Sequence, residues 1–231
     1  MELDALAKRY AQVKASIPSH VKLVAVSKTR TVEEIQALYD LGHRAFGENY
    51  PQELRDKQPL LPADIEWHFI GHLQSNKVKY ILPKDPGPAS THLIHGVDST
   101  KLLDELDKRA ASCGLVQVVL LQVHIGKEET KHGLLPDEVW ELLRSGPLLR
   151  WPNVRVRGLM GMASNTDDAE QVRREFHGLG ELFRKLRSSD QDPAVFTELS
   201  MGMSGDAAVA ISEGSTLVRI GTAIFGERVY E

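Results

Sequence analysis

Lys28 stands at the end of an apolar run, residues 21–27, which has the composition of a buried strand. A lysine in this position lies at the edge of the sheet or barrel to which the strand belongs. An ordinary lysine has a pKa of ~10.4, whereas a partly desolvated one falls to ~7–8 and becomes a nucleophilic amine that forms Schiff bases. The alternative is a lysine that extends from the strand end to solvent, which is the more common arrangement for a lysine considered alone.

A second apolar segment near the end of the chain, Leu217–Thr222, contains Arg219 and closes with a Gly-Thr pair. A guanidinium keeps its charge under ordinary conditions, so its burial within an apolar strand is costly unless a partner accepts its hydrogen bonds. That partner is either a ligand or a structural carboxylate such as Glu198.

Small and hydroxyl-bearing residues lie in the C-terminal parts of the last two predicted strands and in the loop between these strands. They could supply the hydroxyls and backbone N–H groups of a phosphate site, which barrel proteins often build from the loops in these positions. The candidates are Ser200, Ser204, Gly221 and Thr222. Alternatively, Ser204 only caps a helix over Asp206–Glu213 and the glycines only turn the chain. With Lys28, the pattern indicates a ligand that carries an aldehyde and a phosphate.

The elements that must position these residues alternate between short apolar segments and segments of helical periodicity. The predicted strands are Val21–Lys28, Arg44–Asn49, Ile65–Gly71, His92–Asp98, Val116–Ile125, Val154–Met162, Ala194–Ser200 and Leu217–Phe225. Strands that are apolar throughout and separated by helices pair in parallel, with both faces covered. The sequence therefore predicts a single (β/α)8 barrel of the TIM type over residues 1–231. A doubly wound open sheet is the rival, but no G-x-G-x-x-G follows the first strand.

The helix predictions rest on capping residues and on apolar stripes. Thr31 and Glu34 form a capping-box pattern after the first strand, and Pro136 is predicted at a first helical position. The longest apolar stripe runs from Val172 to Leu186, and an extra helix near Leu3–Ala15 precedes the first strand. The Pro- and Gly-rich segment Pro83–Thr91 is predicted to be a mobile loop.

Composition excludes several classes of function. A net charge of −4 and a pI near 6.2 do not indicate a basic surface that binds nucleic acid. No apolar stretch approaches the length of a membrane span. The single cysteine, Cys113, excludes an internal disulfide and a cysteine cluster, which favours a reducing, cytoplasmic location. His68 and His72 are four residues apart but straddle a predicted strand end, so we expect no metal site.

Six motifs together resemble the pyridoxal phosphate homeostasis protein family, over Val21–Tyr230. They are Ala25–Thr29, Phe46–Tyr50, Trp67–Lys77, Gly158–Met162, Leu199–Asp206 and Val218–Thr222. The resemblance implies a barrel similar to the N-terminal domain of alanine racemase, with pyridoxal 5'-phosphate (PLP) held as a Schiff base on the motif lysine, Lys28. It also implies that Arg219 faces the pyridine nitrogen and that Asn49 and Met162 line the ring. The implied phosphate contacts are Ser200, Ser204, Gly221 and Thr222.

This resemblance favours a protein that buffers or delivers PLP over an enzyme. A charged Arg219 beside the pyridine nitrogen would discourage protonation there and weaken the ring as an electron sink. Alanine racemase takes a second acid–base group from another, β-rich domain, whereas this chain ends six residues beyond Phe225. We therefore expect a monomer whose partners are PLP and PLP-dependent apoenzymes. The alternatives are a weak amino-acid racemase and a class I aldolase-like enzyme whose Lys28 bonds to substrate without a cofactor.

Overall fold

Eight parallel strands close into one barrel in chain order, and the first strand pairs with the last. The computed structural model describes residues 2–82, 91–128, 132–144, 146–189 and 192–227. The strands are β1 Lys22–Val26, β2 Ala45–Glu48, β3 Glu66–Phe69, β4 Thr91–Val97, β5 Gln117–Gln122, β6 Val154–Met160, β7 Glu198–Ser200 and β8 Leu217–Ile220. The predicted (β/α)8 barrel is confirmed.

Helices surround the barrel and connect its strands. They are α1 Glu2–Ser16, α2 Val32–Asp40, α3 Pro51–Lys57, α4 Val78–Ile81, α5 Thr100–Ser112, α6 Pro136–Arg144, α7 Pro147–Arg150, α8 Ala169–Ser189, α9 Ala207–Ser212 and α10 Thr222–Phe225. The capping box of Thr31 and Glu34 forms at the start of α2. Pro136 begins α6, and the stripe from Val172 lies in α8, which has 21 residues. The extra helix before β1 is α1.

The last predicted strand, Leu217–Phe225, is wrong at its C-terminal end. β8 stops at Ile220, and Gly221 begins the single helical turn α10 by accepting hydrogen bonds from the N–H groups of Ile224 and Phe225. This turn packs on α1, where Arg9 Nε donates to the Ile224 carbonyl at 2.8 Å. The apolar residues that extended the strand pattern therefore bury themselves against a helix instead of a neighbouring strand.

The other predicted strands are in place but several are too long, because apolar residues continue into the loops. β7 is the extreme case, with only three residues of the seven expected. In the predicted mobile loop Pro83–Thr91, residues 83–90 lie outside the described residues, and Thr91 begins β4. No helix in the part of the chain that the structure describes is long and apolar enough to cross a membrane.

The apolar core has two layers because strand side chains alternate between the faces of the sheet. The larger layer lies between the strands and the surrounding helices. The smaller layer fills the barrel itself and consists of Val24, Ala45, Leu93, Leu120, Met160 and Leu217. Beyond this filling, the carboxyl ends of all eight strands open on one face, where barrel proteins carry their functional residues.

Candidate functional site

Lys28 lies at the carboxyl end of β1, on the side of the strand that faces the barrel interior. Val24, which belongs to the interior cluster, pairs with Arg219 of β8 in the register of the two strands. Alternation then places Val26 and Lys28 on the same side, Lys28 nearest the open end. The Lys28 side chain is half-buried. The register therefore places this lysine at the rim and the arginine two inward-facing positions deeper.

The backbone around Lys28 is held from the outside by α3. Lys57 Nζ donates to the Ser27 carbonyl at 2.9 Å, to Glu48 at 2.9 Å and to Glu53 at 2.7 Å. Glu53 also accepts a hydrogen bond from the Thr29 N–H at 2.8 Å. Thr29 has a φ of 64°, in the left-handed region that a β-branched residue rarely adopts. Such strain persists only where neighbouring contacts enforce it, and here they fix the turn that carries the lysine.

Glu48 is the buried member of this arrangement. Its side chain is fully buried, and its Oε1 accepts from the Ser27 hydroxyl at 2.7 Å as well as from Lys57. Burial raises the pKa of Glu48 to about 7, against the opposing effect of the Lys57 charge. The carboxyl group therefore takes up a proton at a higher pH than an exposed carboxylate does, next to the turn that follows β1.

Arg219 is 4% exposed and occupies the interior below the open end of the barrel. Its Nη1 donates to the Ser200 hydroxyl, and its Nη2 donates to the Gly161 carbonyl at 3.2 Å. It forms no ion pair with any carboxylate among the residues that the structure describes. Glu198, the structural partner considered above, instead accepts a hydrogen bond from the Thr216 hydroxyl at 3.4 Å.

A chain of hydrogen bonds continues from Arg219 through the centre of the barrel. Ser200 Oγ lies 2.9 Å from His95 Nδ1, and His95 Nε2 lies 2.9 Å from His68 Nδ1. All of these side chains are buried, and burial lowers the pKa of both histidines well below the ordinary value. Ser200, a predicted phosphate contact, therefore has its hydroxyl in the interior beside the guanidinium, below the exposed loops.

The remaining predicted phosphate contacts lie in the loops after β7 and β8. Ser204 and Thr222 are exposed, and neither hydroxyl has a hydrogen-bond partner within the described ranges. Ser204 does not cap the following helix; Asp206 is the N-cap residue of α9, and its Oδ1 accepts from the Met203 N–H at 2.5 Å. Gly221 approaches Val26 so closely that a Cβ there would lie 3.2 Å from the valine Cβ.

Gly202 fixes the first of these loops. Its φ is +95°, and a Cβ there would meet the Ala210 Cβ at 2.6 Å. The Gly202 carbonyl also accepts the Arg219 N–H at 3.0 Å, which ties the loop after β7 to β8. A side chain at this position would therefore displace the loop that carries Ser204.

The two predicted ring contacts lie at the same end of the barrel. Asn49 follows β2, and Met162 packs against the interior cluster two residues beyond β6. A cavity of about 600 Å³ begins at Met162 and extends to Met203 and Asp206, between the loops after β6 and β7. The structure thus gathers every sequence-predicted site residue at the carboxyl ends of β1, β2, β6, β7 and β8.

Known proteins resemble this chain over most of its length. The family described as "Alanine racemase, N-terminal domain" matches residues 1–229. A relative from Aquifex aeolicus, named pyridoxal phosphate homeostasis protein, is 45% identical over 210 residues, covering 90% of this chain and 88% of the relative. One from Vibrio alginolyticus with the same name is 42% identical over 231 residues, covering 96% and 93%.

The chain belongs to the pyridoxal phosphate homeostasis protein family.

Solved structures extend the comparison to this family's fold. The PipY protein of Synechococcus elongatus, solved without PLP, superposes with a TM-score of 0.86 at 35% identity and covers 96% of this chain and 100% of its own. The same protein with PLP bound gives a TM-score of 0.81. An alanine racemase from Clostridium difficile gives 0.73 at 13% identity, with 99% of this chain and 58% of the racemase covered, and so shares the fold.

Sequence reasoning missed two groups of residues around this family's site. The α3 side chains that hold the Lys28 turn look like ordinary helix-surface charges, although the i,i+4 spacing of Glu53 and Lys57 was visible. His95 gave no signal, because its partners come from β3 and β7 and are joined to it only by the closure of the barrel.

Proposed function

We propose that this chain holds PLP at the open end of its barrel through a covalent C=N bond to Lys28. Its role in PLP homeostasis would be to store the cofactor and hand it on, without catalysis of its own. The buried Arg219 carries the proposal, because it forms no ion pair among the described residues and lies two inward-facing positions below the lysine. A buried cation without an anion is costly unless a ligand acceptor faces it.

The residues at this end fit the chemical groups of PLP. The aldehyde of PLP condenses with a neutral primary amine and releases water, and Lys28 supplies the amine. The hydroxyls of Ser204 and Thr222, which have no partner among the described residues, would bind the phosphate together with the backbone beside Gly221. Asn49 and Met162 would border the ring, and Arg219 would donate toward the pyridine nitrogen, which then accepts a hydrogen bond and stays unprotonated.

Storage is favoured over turnover by the state of Arg219. Burial lowers the pKa of this guanidinium to about 10, so it remains charged at neutral pH. PLP enzymes draw electrons into a protonated ring, and a fixed positive charge at the nitrogen opposes that protonation. The relatives from Aquifex aeolicus and Vibrio alginolyticus are named for homeostasis rather than for a reaction.

The direct test is the visible spectrum of the protein as purified, followed by borohydride reduction and peptide mass spectrometry. We expect a yellow protein and a pyridoxyl adduct on Lys28. The Lys28→Ala variant should lose the adduct and retain weaker PLP binding through the phosphate contacts. Lys22→Ala, at the opposite end of the same strand, is the matched control and should keep the adduct. A colourless protein that ignores added PLP would refute the proposal.

A second measurement separates storage from catalysis. We expect the PLP-loaded protein to reactivate a PLP-dependent apoenzyme and to leave D- and L-alanine unchanged. Racemisation that disappears in Lys28→Ala would instead identify an amino-acid racemase. Lysine-dependent cleavage of a carbonyl substrate without bound PLP would indicate an aldolase-like enzyme.

A further inference from the structure

A second cluster of polar side chains lies in the barrel on the side of the amino-terminal strand ends, away from Lys28. Glu66 and His68 come from β3, and His92 comes from β4. A carboxylate oxygen and one nitrogen from each imidazole all lie within 4.8 Å of one another. None of these three residues belongs to the proposed PLP site.

A β-bulge brings His92 into this group. Trp67 pairs with Thr91, but the next residue, His68, pairs with Leu93, so one step along β3 spans two along β4. His92 is the extra residue, and its ring centroid lies 5.3 Å from that of His68. Bulges of this kind redirect a side chain and are enriched next to functional sites. Regular pairing would not place His92 and Leu93 together on the interior side.

His68 has one ring nitrogen without a hydrogen-bond partner. Its Nδ1 is bonded to His95, whereas its Nε2 is buried and unpartnered among the described residues. A buried polar atom left in this state destabilises the protein. Because burial holds the pKa of His68 well below its ordinary value, the ring is neutral and keeps a lone pair on one nitrogen. That is the form in which imidazole binds metal ions.

We infer that Glu66, His68 and His92 bind a divalent cation of the zinc class at the floor of the barrel. Two imidazole nitrogens and one carboxylate oxygen form a ligand set that Zn²⁺ accepts, with the fourth position left for water. The His68–His95 hydrogen bond supplies the outer contact that usually orients a metal-bound histidine. A cavity of about 460 Å³ reaches Glu66 and Lys22 from outside and gives the ion a path of entry.

Lys22 competes with the cation for Glu66. Its Nζ lies 2.7 Å from Glu66 Oε2, and both side chains are more than one-third exposed. Exposed pairs of this kind contribute little to stability, so a cation that gains three ligands can displace the ammonium. Removing the ammonium should therefore tighten metal binding, an effect that a purely structural ion pair would not produce.

Metal binding would also set the direction of the hydrogen-bond chain in the barrel. With the metal on Nε2, His68 must donate from Nδ1 to His95, and His95 must donate from its own Nδ1 to Ser200. The Ser200 oxygen then accepts from His95 and from Arg219, and its hydroxyl hydrogen is directed elsewhere. Without metal the same chain can run in the opposite direction, with Ser200 as the donor.

The test is calorimetric titration of chelator-treated protein with Zn²⁺, together with the visible absorption of Co²⁺ bound in its place. We expect saturable binding of one ion at the floor site, in protein with and without PLP. His92→Gln, at a half-buried position, should weaken that binding at least about tenfold. Lys22→Met should strengthen it several-fold. These readouts do not involve Lys28, so they stand whether or not PLP binds.

The matched control is His132→Gln. His132 belongs to an exposed cluster with His72 and Asp98 near the opposite end of the barrel, a second place where an added ion could bind. Binding at the floor should survive this substitution. The inference is overturned if no ion binds, if His92→Gln leaves the affinity unchanged, or if Lys22→Met weakens it. Circular dichroism of each variant checks that the barrel remains folded.

Discussion

At the scale of single residues, Arg219 shows how the proposed ligand site would lower the stability of the protein without ligand. The guanidinium is buried and donates to a hydroxyl and a backbone carbonyl, and it forms no ion pair in the described part of the chain. A charge in this position costs free energy in the absence of ligand and stabilises the complex when an acceptor binds. Stability and PLP affinity should therefore respond oppositely to its removal.

We expect Arg219→Met to unfold no more easily than the wild type in the absence of PLP, because an apolar side chain of similar length removes a buried charge. PLP affinity should fall at least about tenfold, since a charged hydrogen bond contributes about 1.5–3 kcal/mol. The absorption maximum of the bound cofactor should also shift. Thermal melts and PLP titrations measure these effects. Arg219→Lys is the control that keeps the charge, and an unchanged spectrum in Arg219→Met would mean that the ring lies elsewhere.

At the scale of elements, α3 acts as a brace for the turn after β1. One ammonium, Lys57 Nζ, connects a carbonyl of the turn with two carboxylates, Glu48 and Glu53. The left-handed Thr29 is held in the same way, through its N–H. The position of Lys28 therefore depends on a neighbouring helix as well as on its own strand.

The Lys57→Met variant should be destabilised by about 3 kcal/mol, because it leaves Glu48 buried without its cation. The double variant with Glu48→Gln should recover part of that loss, since no charge then remains in the buried position. Urea unfolding of the PLP-free protein gives both values. Equal stability of the single variant and the wild type would show that α3 does not hold the turn through this lysine.

At the scale of the whole molecule, buried neutral histidines make folding sensitive to acid. His43 lies between β2 and α1, where its Nδ1 is 3.2 Å from the Tyr10 hydroxyl and its Nε2 is 2.8 Å from the Ala45 carbonyl. Burial lowers its pKa from 6.5 to about 4. His68 and His95 shift in the same direction. These histidines are therefore protonated in the unfolded chain at pH values where they remain neutral in the folded barrel.

The sign of the pH dependence follows from this difference. The stability associated with His43 is complete above pH 6.5 and is lost as the pH falls toward 4. For His43 alone, metal-free and PLP-free protein should lose about 2 kcal/mol between pH 7.5 and pH 5. Urea unfolding at the two pH values measures the loss, and His43→Gln should reduce it. The raised pKa of Glu48 acts in the opposite direction over the same interval, so the contribution of His43 is the difference between the wild type and His43→Gln. An identical pH dependence in these two proteins would contradict the neutral state assigned to His43.

The barrel, and the placement of the candidate site residues at its open end, could be predicted from the sequence because they depend on local order. Apolar segments separated by helical stripes permit only parallel strands with both faces covered, and parallel strands place all their carboxyl ends on one face. The sites at Lys28, Asn49, Met162 and Arg219 follow from that rule once each strand is located. The predicted ends of the strands were less accurate, as at Gly221. Residues buried against a neighbouring strand and residues buried against a helix are both apolar, so the sequence does not distinguish them.

Contacts across the closed barrel were decided only by the tertiary structure. His95 and Ser200 are hydrogen-bonded although they lie 105 positions apart in the sequence. The bulge that turns His92 toward His68 likewise has no signature in the amino-acid sequence. The sequence by itself determined which residues each strand presents at its end. Closure and register determined which side chains meet in the interior, because hydrogen bonds between strands form in space rather than along the chain.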